Sequence, residues 1–206
     1  MARLLLLDIE LLGDWLAMRR SRGIDLYDEV WDGVYVIPPL PTLAQQGLVG
    51  DLCDVFHEVV KWPGHGTIYP GVNVSDRRRN WEDNFRIPDV AVVLRKSRAV
   101  DCDTHFFRGP DILVEIASPD SITEEKVPFY AKIGVRELLI IHRDKRTLRL
   151  LRHDGAELVP VPPSDLGGKE WLVSEVLPLA FRRTVSKGAA RTQVRRTDGQ
   201  PGLWTV

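Results

Sequence analysis

The 206-residue sequence lacks most features that would assign it to a specialised class of protein. It has only two cysteines, Cys53 and Cys102, at no paired spacing, which argues against a disulfide scaffold and a four-ligand zinc site. No apolar run approaches the roughly 20 residues that a membrane span needs. Asp8, Glu10 and Asp14 interrupt the leucine-rich N-terminus, which argues against a secretory signal peptide. We therefore expect a cytoplasmic protein with no membrane partner.

A strong charge imbalance is also missing. The formal net charge is −1, so the overall composition does not indicate a nucleic-acid-binding protein. It does not exclude one, because only the local charge matters at a binding groove. The sequence contains neither a glycine loop that would cradle phosphates nor the nucleophile elbow of α/β-hydrolases.

The chain does contain enough apolar residues, 44%, for one sizeable core, with a mixed pattern of helices and strands. Apolar residues at helical spacing predict helices over 4–18 and 43–60, and a third helix is expected within 121–133. Strand candidates are 67–75, 87–95, 110–118, 137–143, 146–155 and 156–161. The segment 27–39 reads as a strand or as a hairpin that turns at Asp32-Gly33. This order predicts an α/β fold in which helices flank a mixed central sheet.

The strand PDILVEIAS (110–118) places a carboxylate among apolar side chains. Side chains alternate along a strand, so Glu115 shares a face with Leu113 and Ala117. A buried carboxylate is costly unless it is paired, hydrogen-bonded or bound to a metal. Two interpretations stay open from this strand alone: a functional acid, or an acid near a sheet end that meets backbone N–H groups or a lysine.

A second acid, Asp89, opens the strand VAVVL that follows Pro88. Alone it resembles a turn residue, as does Asp111 in the other Pro-Asp dipeptide. If its strand neighbours that of Glu115, the two carboxylates come within reach of one hard cation such as Mg²⁺.

The third helix carries a lysine on its apolar stripe. Lys126 lies at helical spacing from Phe129, Tyr130 and Ile133, which predicts that it faces the sheet. A sheet-facing lysine must either extend to the surface or meet a buried acid, and Glu115 would supply that acid. Pro128 complicates the helix, because proline is poorly accepted in a helix interior, and favours a start near 125–127.

At this point the chain resembles a known family. The ordered strings YDEVWDGVYVIPP, IPDVAVVL, PDILVEIASPDS, Lys126 with Tyr130 four residues on, and GVRELLIIHRD resemble the Uma-two family of restriction endonucleases, over about residues 27–155. The resemblance implies the PD-(D/E)XK restriction endonuclease-like fold, a three-layer core with a mixed central sheet flanked by helices. We divide the chain into an N-terminal helical extension (1–26), the nuclease-like domain (27–181) and a basic tail (182–206), which its polar composition predicts to be mobile.

The resemblance also implies site residues. Asp89 and Glu115 match the metal-binding acids of the family, with Mg²⁺ as the cofactor and Mn²⁺ as a substitute. The usual strand lysine is replaced by Ala117, and Lys126 matches a lysine displaced to the following helix. Glu29 and Tyr130 match residues that support the site. The chain departs from the family before the second helix, where Gln45 and Gln46 occupy the region in which a histidine is common.

Other clusters carry weaker signals. Asp101, Cys102, Asp103 and His105 have metal-ligand chemistry, but a polar surface loop is the preferred interpretation. The arginine run formed by Arg77, Arg78 and Arg79 is a candidate DNA contact that precedes the Asp89 strand. The basic residues of 182–196 fit either a nonspecific DNA clamp or a solvated tail. His57 and Glu58 are interpreted as surface residues.

Three functional hypotheses follow. The first is a Mg²⁺-dependent endonuclease acting on DNA, which is compatible with a homodimer because double-strand cutting needs two active sites. The second is a catalytically inactive nuclease-fold module that binds nucleic acid or a protein partner. The third is a small-molecule enzyme on a similar scaffold.

Overall fold

The computed structural model of the protein describes residues 4–6, 9–119 and 121–206. Within these residues the chain forms three α-helices: α1 (Ile9–Ser21), α2 (Leu43–Phe56) and α3 (Thr123–Lys132). A π-helical turn, His57–Lys61, continues α2, so the helix predicted over 43–60 changes its hydrogen-bond pattern near its end. None of the helices in the described part of the chain is long and apolar enough to cross a membrane.

The described residues also form eighteen strands. The first nine are β1 (Leu4–Leu6), β2 (Glu29–Trp31), β3 (Val34–Ile37), β4 (Gly66–Pro70), β5 (Val74–Ser75), β6 (Phe85–Arg86), β7 (Val90–Leu94), β8 (Val100–Asp101) and β9 (Phe106–Phe107). The other nine are β10 (Ile112–Ala117), β11 (Glu137–His142), β12 (Leu148–His153), β13 (Leu158–Pro160), β14 (Ser164–Asp165), β15 (Glu170–Val173), β16 (Leu179–Ser186), β17 (Ala189–Arg196) and β18 (Leu203–Thr205).

The central sheet is mixed, as predicted. Its order is β13-β12-β11-β10-β7-β4. Strands β10 and β11 are parallel and are connected through α3, whereas the other neighbouring pairs are antiparallel. A parallel pair needs a crossover connection, and α3 provides it. The predicted α/β class with a mixed sheet is confirmed.

The two faces of the central sheet are covered differently. Alternate residues of β10 divide between them: Val114 packs in the core cluster that includes Leu52 of α2, whereas Leu113 packs in the cluster that includes Tyr130 of α3. The first cluster also contains Phe181 of β16. The covering layers therefore contain strands as well as helices, which the prediction of purely helical flanks did not include.

A second sheet, of order β1-β3-β2-β6-β5-β9-β8, brings the N-terminal part of the chain to the α3 side. Strands β2 and β3 form the predicted hairpin, and its turn residues Asp32 and Gly33 both have positive φ, 49° and 85°, as a two-residue hairpin turn requires. The helix predicted over 4–18 is partly wrong. It begins at Ile9, and Leu4–Leu6 instead form β1, which pairs with β3.

The third sheet corrects the prediction of a mobile tail over 182–206. Its order is β14-β15-β16-β17-β18, and β17 and β18 lie wholly within the supposed tail. Val194 is fully buried in the core, which anchors β17. The arginines obscured this pattern in the sequence: Arg182 and Arg195 lay their guanidinium groups over the ring of Trp171, at 4.8 and 5.4 Å from its centroid.

Candidate active site

The candidate site lies where two strands of the central sheet diverge. Strand β10 pairs with β7 only as far as Val114 opposite Val90, and then continues to Ala117 without that neighbour. Asp89 directly precedes β7 and takes up the backbone group left free at this point, because its Oδ2 accepts the N–H of Ile116 at 2.6 Å. The divergence opens the sheet beside Glu115 without leaving this donor unsatisfied.

Asp89 is held by a second donor. The side chain of Gln45 donates from Nε2 to Asp89 Oδ1 at 2.8 Å. Gln45 lies in the first turn of α2, whose N-cap Thr42 accepts the N–H of the same residue at 3.3 Å. Burial raises the pKa of Asp89, and the two hydrogen bonds oppose that rise. Both carboxylate oxygens are thus oriented by neutral donors.

Glu115 shares a face of β10 with Leu113, as the strand alternation predicted, and α3 covers that face; Glu115 is 4% exposed. Its Oε1 accepts a hydrogen bond from the Tyr130 hydroxyl at 2.5 Å and contacts Lys126 Nζ at 3.2 Å. Burial raises the pKa of Glu115 to about 7, although the Lys126 ammonium opposes the rise. No hydrogen bond to its Oε2 is formed within the described residues, so this oxygen is available to a ligand.

Lys126 connects two acids. Its Nζ lies 2.8 Å from Glu29 Oε1 and 3.2 Å from Glu115 Oε1, and it also contacts the carbonyl of Ile87 at 3.4 Å. Burial alone lowers the pKa of Lys126, but the charges of Glu115 and Glu29 raise it by more, so the net pKa is raised. The ammonium group therefore stays charged. Its place on α3, one turn before Tyr130, explains why both side chains reach Glu115.

Glu29 joins the second sheet to the site. It is 1% exposed in β2, and its Oε1 accepts the N–H of Ile87 at 2.7 Å while its Oε2 accepts from Trp31 Nε1 at 2.7 Å. These two donors and Lys126 satisfy a buried carboxylate that would otherwise be costly.

Helix α3 begins at Thr123, earlier than the predicted 125–127, so Pro128 lies inside it and Lys126 in its first turn.

Five residues that were singled out in the sequence therefore meet at one place: Asp89, Glu115, Lys126, Glu29 and Tyr130. Gln45 was noted only as a departure from the family pattern, yet it contacts Asp89 directly. No sequence signal places an N-terminal residue of α2 against the start of β7, because that contact depends on how α2 packs over the sheet.

Arg86 was missed altogether. It is 4% exposed, and its guanidinium is sandwiched between the rings of Trp31 and Phe129, at 4.4 and 4.2 Å from their centroids. Its Nη1 donates to the carbonyl of Val30 at 3.1 Å. Burial lowers the pKa of Arg86, and the nearby Glu29 opposes this. The sequence did contain one indication that Arg86 is buried, because it lies between two apolar residues, Phe85 and Ile87.

The other sequence candidates lie in different surroundings. Arg77 is engaged by acids, with Nη1 at 3.4 Å from Asp83, whereas Arg78 and Arg79 are exposed. His105 is buried rather than part of a surface loop: its ring stacks on Trp81 at 4.9 Å, and its Nε2 contacts the carbonyl of Arg77 at 3.0 Å. His105 therefore has a structural role in packing this segment.

Glu58 is the acceptor of a hydrogen bond from Trp204 Nε1 at 3.3 Å, and this contact is exposed. Asp111 is structural, because it accepts the N–H of Leu94 at 2.8 Å and pairs with Arg136 at 3.0 Å.

In the described part of the chain, no group of three or more His, Cys, Asp or Glu is arranged to hold a metal ion. A metal at the candidate site would therefore have at most two ligands of these types, and Asp89 and Glu115 are the two that the site offers.

Two carboxylates fit Mg²⁺, which is usually held by one or two carboxylates and keeps several waters. Asp89 is partly exposed, and Glu115 Oε2 accepts no hydrogen bond within the described residues, so each acid could contribute an oxygen to a cation. Zinc fits less well, because its protein sites usually contain three or four ligands that include histidine nitrogen or cysteine sulfur. The donor set of this structure thus suits a hard divalent cation.

Comparison with known proteins identifies the family of the chain. The family model Uma2, described as "putative restriction endonuclease", matches residues 16–186, which is most of the chain and includes every residue of the candidate site. The chain belongs to the Uma2 family. A search of curated proteins gave no match for this Uma2 protein.

A solved structure shows the same fold. The crystal structure of a "putative nuclease belonging to DUF820" from Anabaena variabilis ATCC 29413 is similar to the Uma2 protein with a TM-score of 0.53 and 19% sequence identity. The similarity covers 72% of this chain and 82% of that chain. At this identity the likeness establishes a shared fold, which agrees with the predicted mixed α/β class.

Proposed function

We propose that this Uma2 protein is a divalent-metal-dependent endonuclease that hydrolyses DNA phosphodiester bonds. The observation that carries the proposal is the meeting of Asp89, Glu115 and Lys126 where β7 and β10 diverge. Two acids can hold a divalent cation and a charged lysine can stabilise a phosphate, and the family is described as "putative restriction endonuclease".

Asp89 and Glu115 would hold the cation, Mg²⁺ or its substitute Mn²⁺. When bound, it supplies Lewis-acid stabilisation of the phosphate and lowers the pKa of water. The donors Gln45 and Ile116 N–H orient Asp89 in advance, and Tyr130 orients Glu115. Such fixed orientation reduces the reorganisation that the reaction would otherwise require.

Lys126 would stabilise negative charge that develops on the phosphate. Its ammonium stays charged because Glu29 and Glu115 raise its pKa, and the shorter contact to Glu29 fixes its position. Glu29 is therefore a positioning residue for Lys126. Arg78 and Arg79, which are exposed, remain proposed contacts to the DNA backbone, whereas Arg77 is occupied by its acidic neighbours.

A second candidate function is a non-catalytic nuclease-fold module that binds nucleic acid or a protein. One observation favours it: Lys126 is fully engaged by Glu29, Glu115 and the Ile87 carbonyl, so the cluster also satisfies itself as a structural ion pair. Incubation of the purified protein with supercoiled plasmid DNA separates the two. We expect nicking or linearisation with Mg²⁺ or Mn²⁺ and none with a chelator. Absence of cleavage with either metal on several DNA substrates would favour the non-catalytic module.

The raised pKa of Glu115 predicts that metal binding depends on pH. Because burial raises this pKa to about 7, Glu115 carries a proton below that value and must release it to bind a cation. We expect the affinity for Mn²⁺ to rise roughly tenfold per pH unit up to about pH 7 and to level off above it. Calorimetric titration across this range measures the effect.

Glu115→Gln is the control, because it removes the titrating group and should leave weak binding without this pH dependence. The raised pKa of Glu115 also makes the stability of the fold depend on pH. The folded pKa of Glu115 lies above the usual glutamate value of about 4.5, so the contribution of Glu115 to stability is lost as the pH rises from about 4.5 to about 7. An affinity for Mn²⁺ that is constant across the range would contradict the role of Glu115 as a metal ligand.

A further inference from the structure

The hairpin formed by β16 and β17 projects past one end of the central sheet. Its register runs without interruption from Leu179–Arg196 to Ser186–Ala189, and it turns at Lys187-Gly188, which both have positive φ. Only the base of the hairpin is buried, at residues such as Phe181 and Val194. Beyond Arg183 the strands extend roughly 10 Å, at about 3.4 Å per residue.

This end of the sheet is the one that carries the candidate active site. Arg183 Nε donates to the carbonyl of Lys145, in the turn between β11 and β12, at 2.9 Å. The same turn is held to the end of β10, because Arg143 donates its N–H to the carbonyl of Ala117 at 2.8 Å. Ala117 lies two residues beyond Glu115, so the hairpin, which packs on the α2 face, and the metal-binding acids lie at the same end of the central strands.

Four positively charged side chains at this end of the sheet form no salt bridge with an acid of the described chain. We name Arg146, Arg183, Lys187 and Arg191 the basic arm. None of them forms a salt bridge among the residues that the structure describes, and the last three are exposed. Their neighbour Arg196 differs, because its guanidinium pairs with Asp198 at 2.6 Å. The arm thus carries positive charge that the protein does not neutralise.

Arg146 gives an independent indication that an anion binds here. Its Nη1 is buried and has no hydrogen-bond partner in the described part of the chain. Burial lowers the pKa of Arg146, and the positive charge of Arg191 lowers it further, while Asp51 and Asp144 oppose this without forming an ion pair. A buried guanidinium N–H beside a like charge is unfavourable unless an anion completes the site.

We infer that the basic arm binds backbone phosphates of the DNA substrate. These phosphates lie on the side of the cleaved bond that faces the β16–β17 hairpin. Arginine suits phosphate because its planar guanidinium donates two parallel hydrogen bonds. Contacts of this kind position DNA without reading its sequence. The inference rests on the proposed function, since it takes the substrate of the site to be DNA.

The test is the salt dependence of DNA binding without metal, so that binding is measured apart from cleavage. Fluorescence anisotropy of a labelled DNA duplex gives the affinity of the wild type and of the triple variant Arg183→Ser/Lys187→Ser/Arg191→Ser. We expect the triple variant to bind at least about tenfold more weakly, with a slope of log affinity against log salt smaller by about 2 to 3, because each lost phosphate contact contributes about 0.9.

Lys187→Ser alone, at the exposed tip of the hairpin, is the second variant in case the triple variant folds poorly. It should reduce the slope by about 0.9. The matched control is Arg95→Ser/Lys96→Ser/Arg98→Ser, which removes three positive charges after β7, at the opposite end of the central sheet. It should leave the slope close to that of the wild type.

The outcomes separate the inference from the proposed function. A slope unchanged in the arm variant, or reduced equally in the control, overturns the inference, and so does a wild type that binds no duplex at any salt concentration. Metal-dependent cleavage by the wild type would still support the proposed function in these cases. Binding that depends on the arm, without cleavage in Mg²⁺ or Mn²⁺, supports phosphate binding by the arm and overturns both the endonuclease proposal and the placement of the arm beside a cleaved bond.

Discussion

Substitution of Lys126 by alanine is expected to lower metal-dependent DNA cleavage by about 10²- to 10⁴-fold, the range for loss of a positioned acid–base or charge-stabilising group. The reason is that Lys126 is the one cation in contact with Glu115 among the residues that the structure describes. Initial rates of plasmid nicking measure the effect. Lys132→Ala is the matched control, because Lys132 lies on the same helix with an exposed side chain that pairs with Asp76.

The same substitution should also destabilise the fold. Removing the ammonium leaves Glu29 and Glu115 buried without their counterion, which costs about 3–5 kcal/mol when one partner of a buried pair is lost. Lys126→Arg separates the two effects, since it keeps the charge. It should retain more stability in thermal unfolding than Lys126→Ala and still cleave poorly, because a planar guanidinium does not replace a compact ammonium. Similar cleavage rates for Lys126→Ala, Lys126→Arg and Lys132→Ala would remove Lys126 from the mechanism.

Asp89→Asn is expected to reduce cleavage by at least about 100-fold at metal concentrations that saturate the wild-type protein. The reason is that the stabilisation that a bound metal provides is worth several kcal/mol. The amide oxygen can still accept the N–H of Ile116, so the fold should be retained. Cleavage rates and circular dichroism of the variant measure the two effects.

Asp111→Asn is the control for Asp89→Asn, since Asp111 also follows a proline and is 3% exposed. It accepts the N–H of Leu94 and pairs with Arg136, away from any proposed ligand. This variant should lose about 1–3 kcal/mol of stability through its weakened hydrogen bonds and keep its metal requirement. Equal losses of activity in the two variants would indicate that Asp89 acts only on the fold.

The sequence predicted the central part of the site because its geometry is local. Strand alternation placed Glu115 on the α3 face, and helical spacing placed Lys126 and Tyr130 opposite it. The crossover β10–α3–β11 then fixes which helix covers which face. The partnership of Glu29 with Lys126 has no local signal in the residues, because it joins two segments that lie far apart in the chain. Only the family resemblance indicated Glu29.

Features that depend on packing between distant segments were predicted poorly or not at all. The contact of Gln45 with Asp89 and the sandwich of Arg86 between Trp31 and Phe129 are of this kind. The hairpin at 179–196 was mistaken for a mobile tail because its arginines resemble a solvated segment. Long arginine side chains cover Trp171 with their apolar parts while their charges stay near water, so a high arginine content does not exclude an ordered strand.

The central claim, that Asp89 and Glu115 form a metal site, is tested most directly by anomalous diffraction from crystals soaked in Mn²⁺. We predict one anomalous peak between the two carboxylates, with Asp89 and Glu115 Oε2 as ligands at about 2.1 Å and water completing the coordination. The peak should be absent from crystals of Asp89→Asn. A wild-type map without a peak at these carboxylates, or with ordered Mn²⁺ only elsewhere, would contradict the claim.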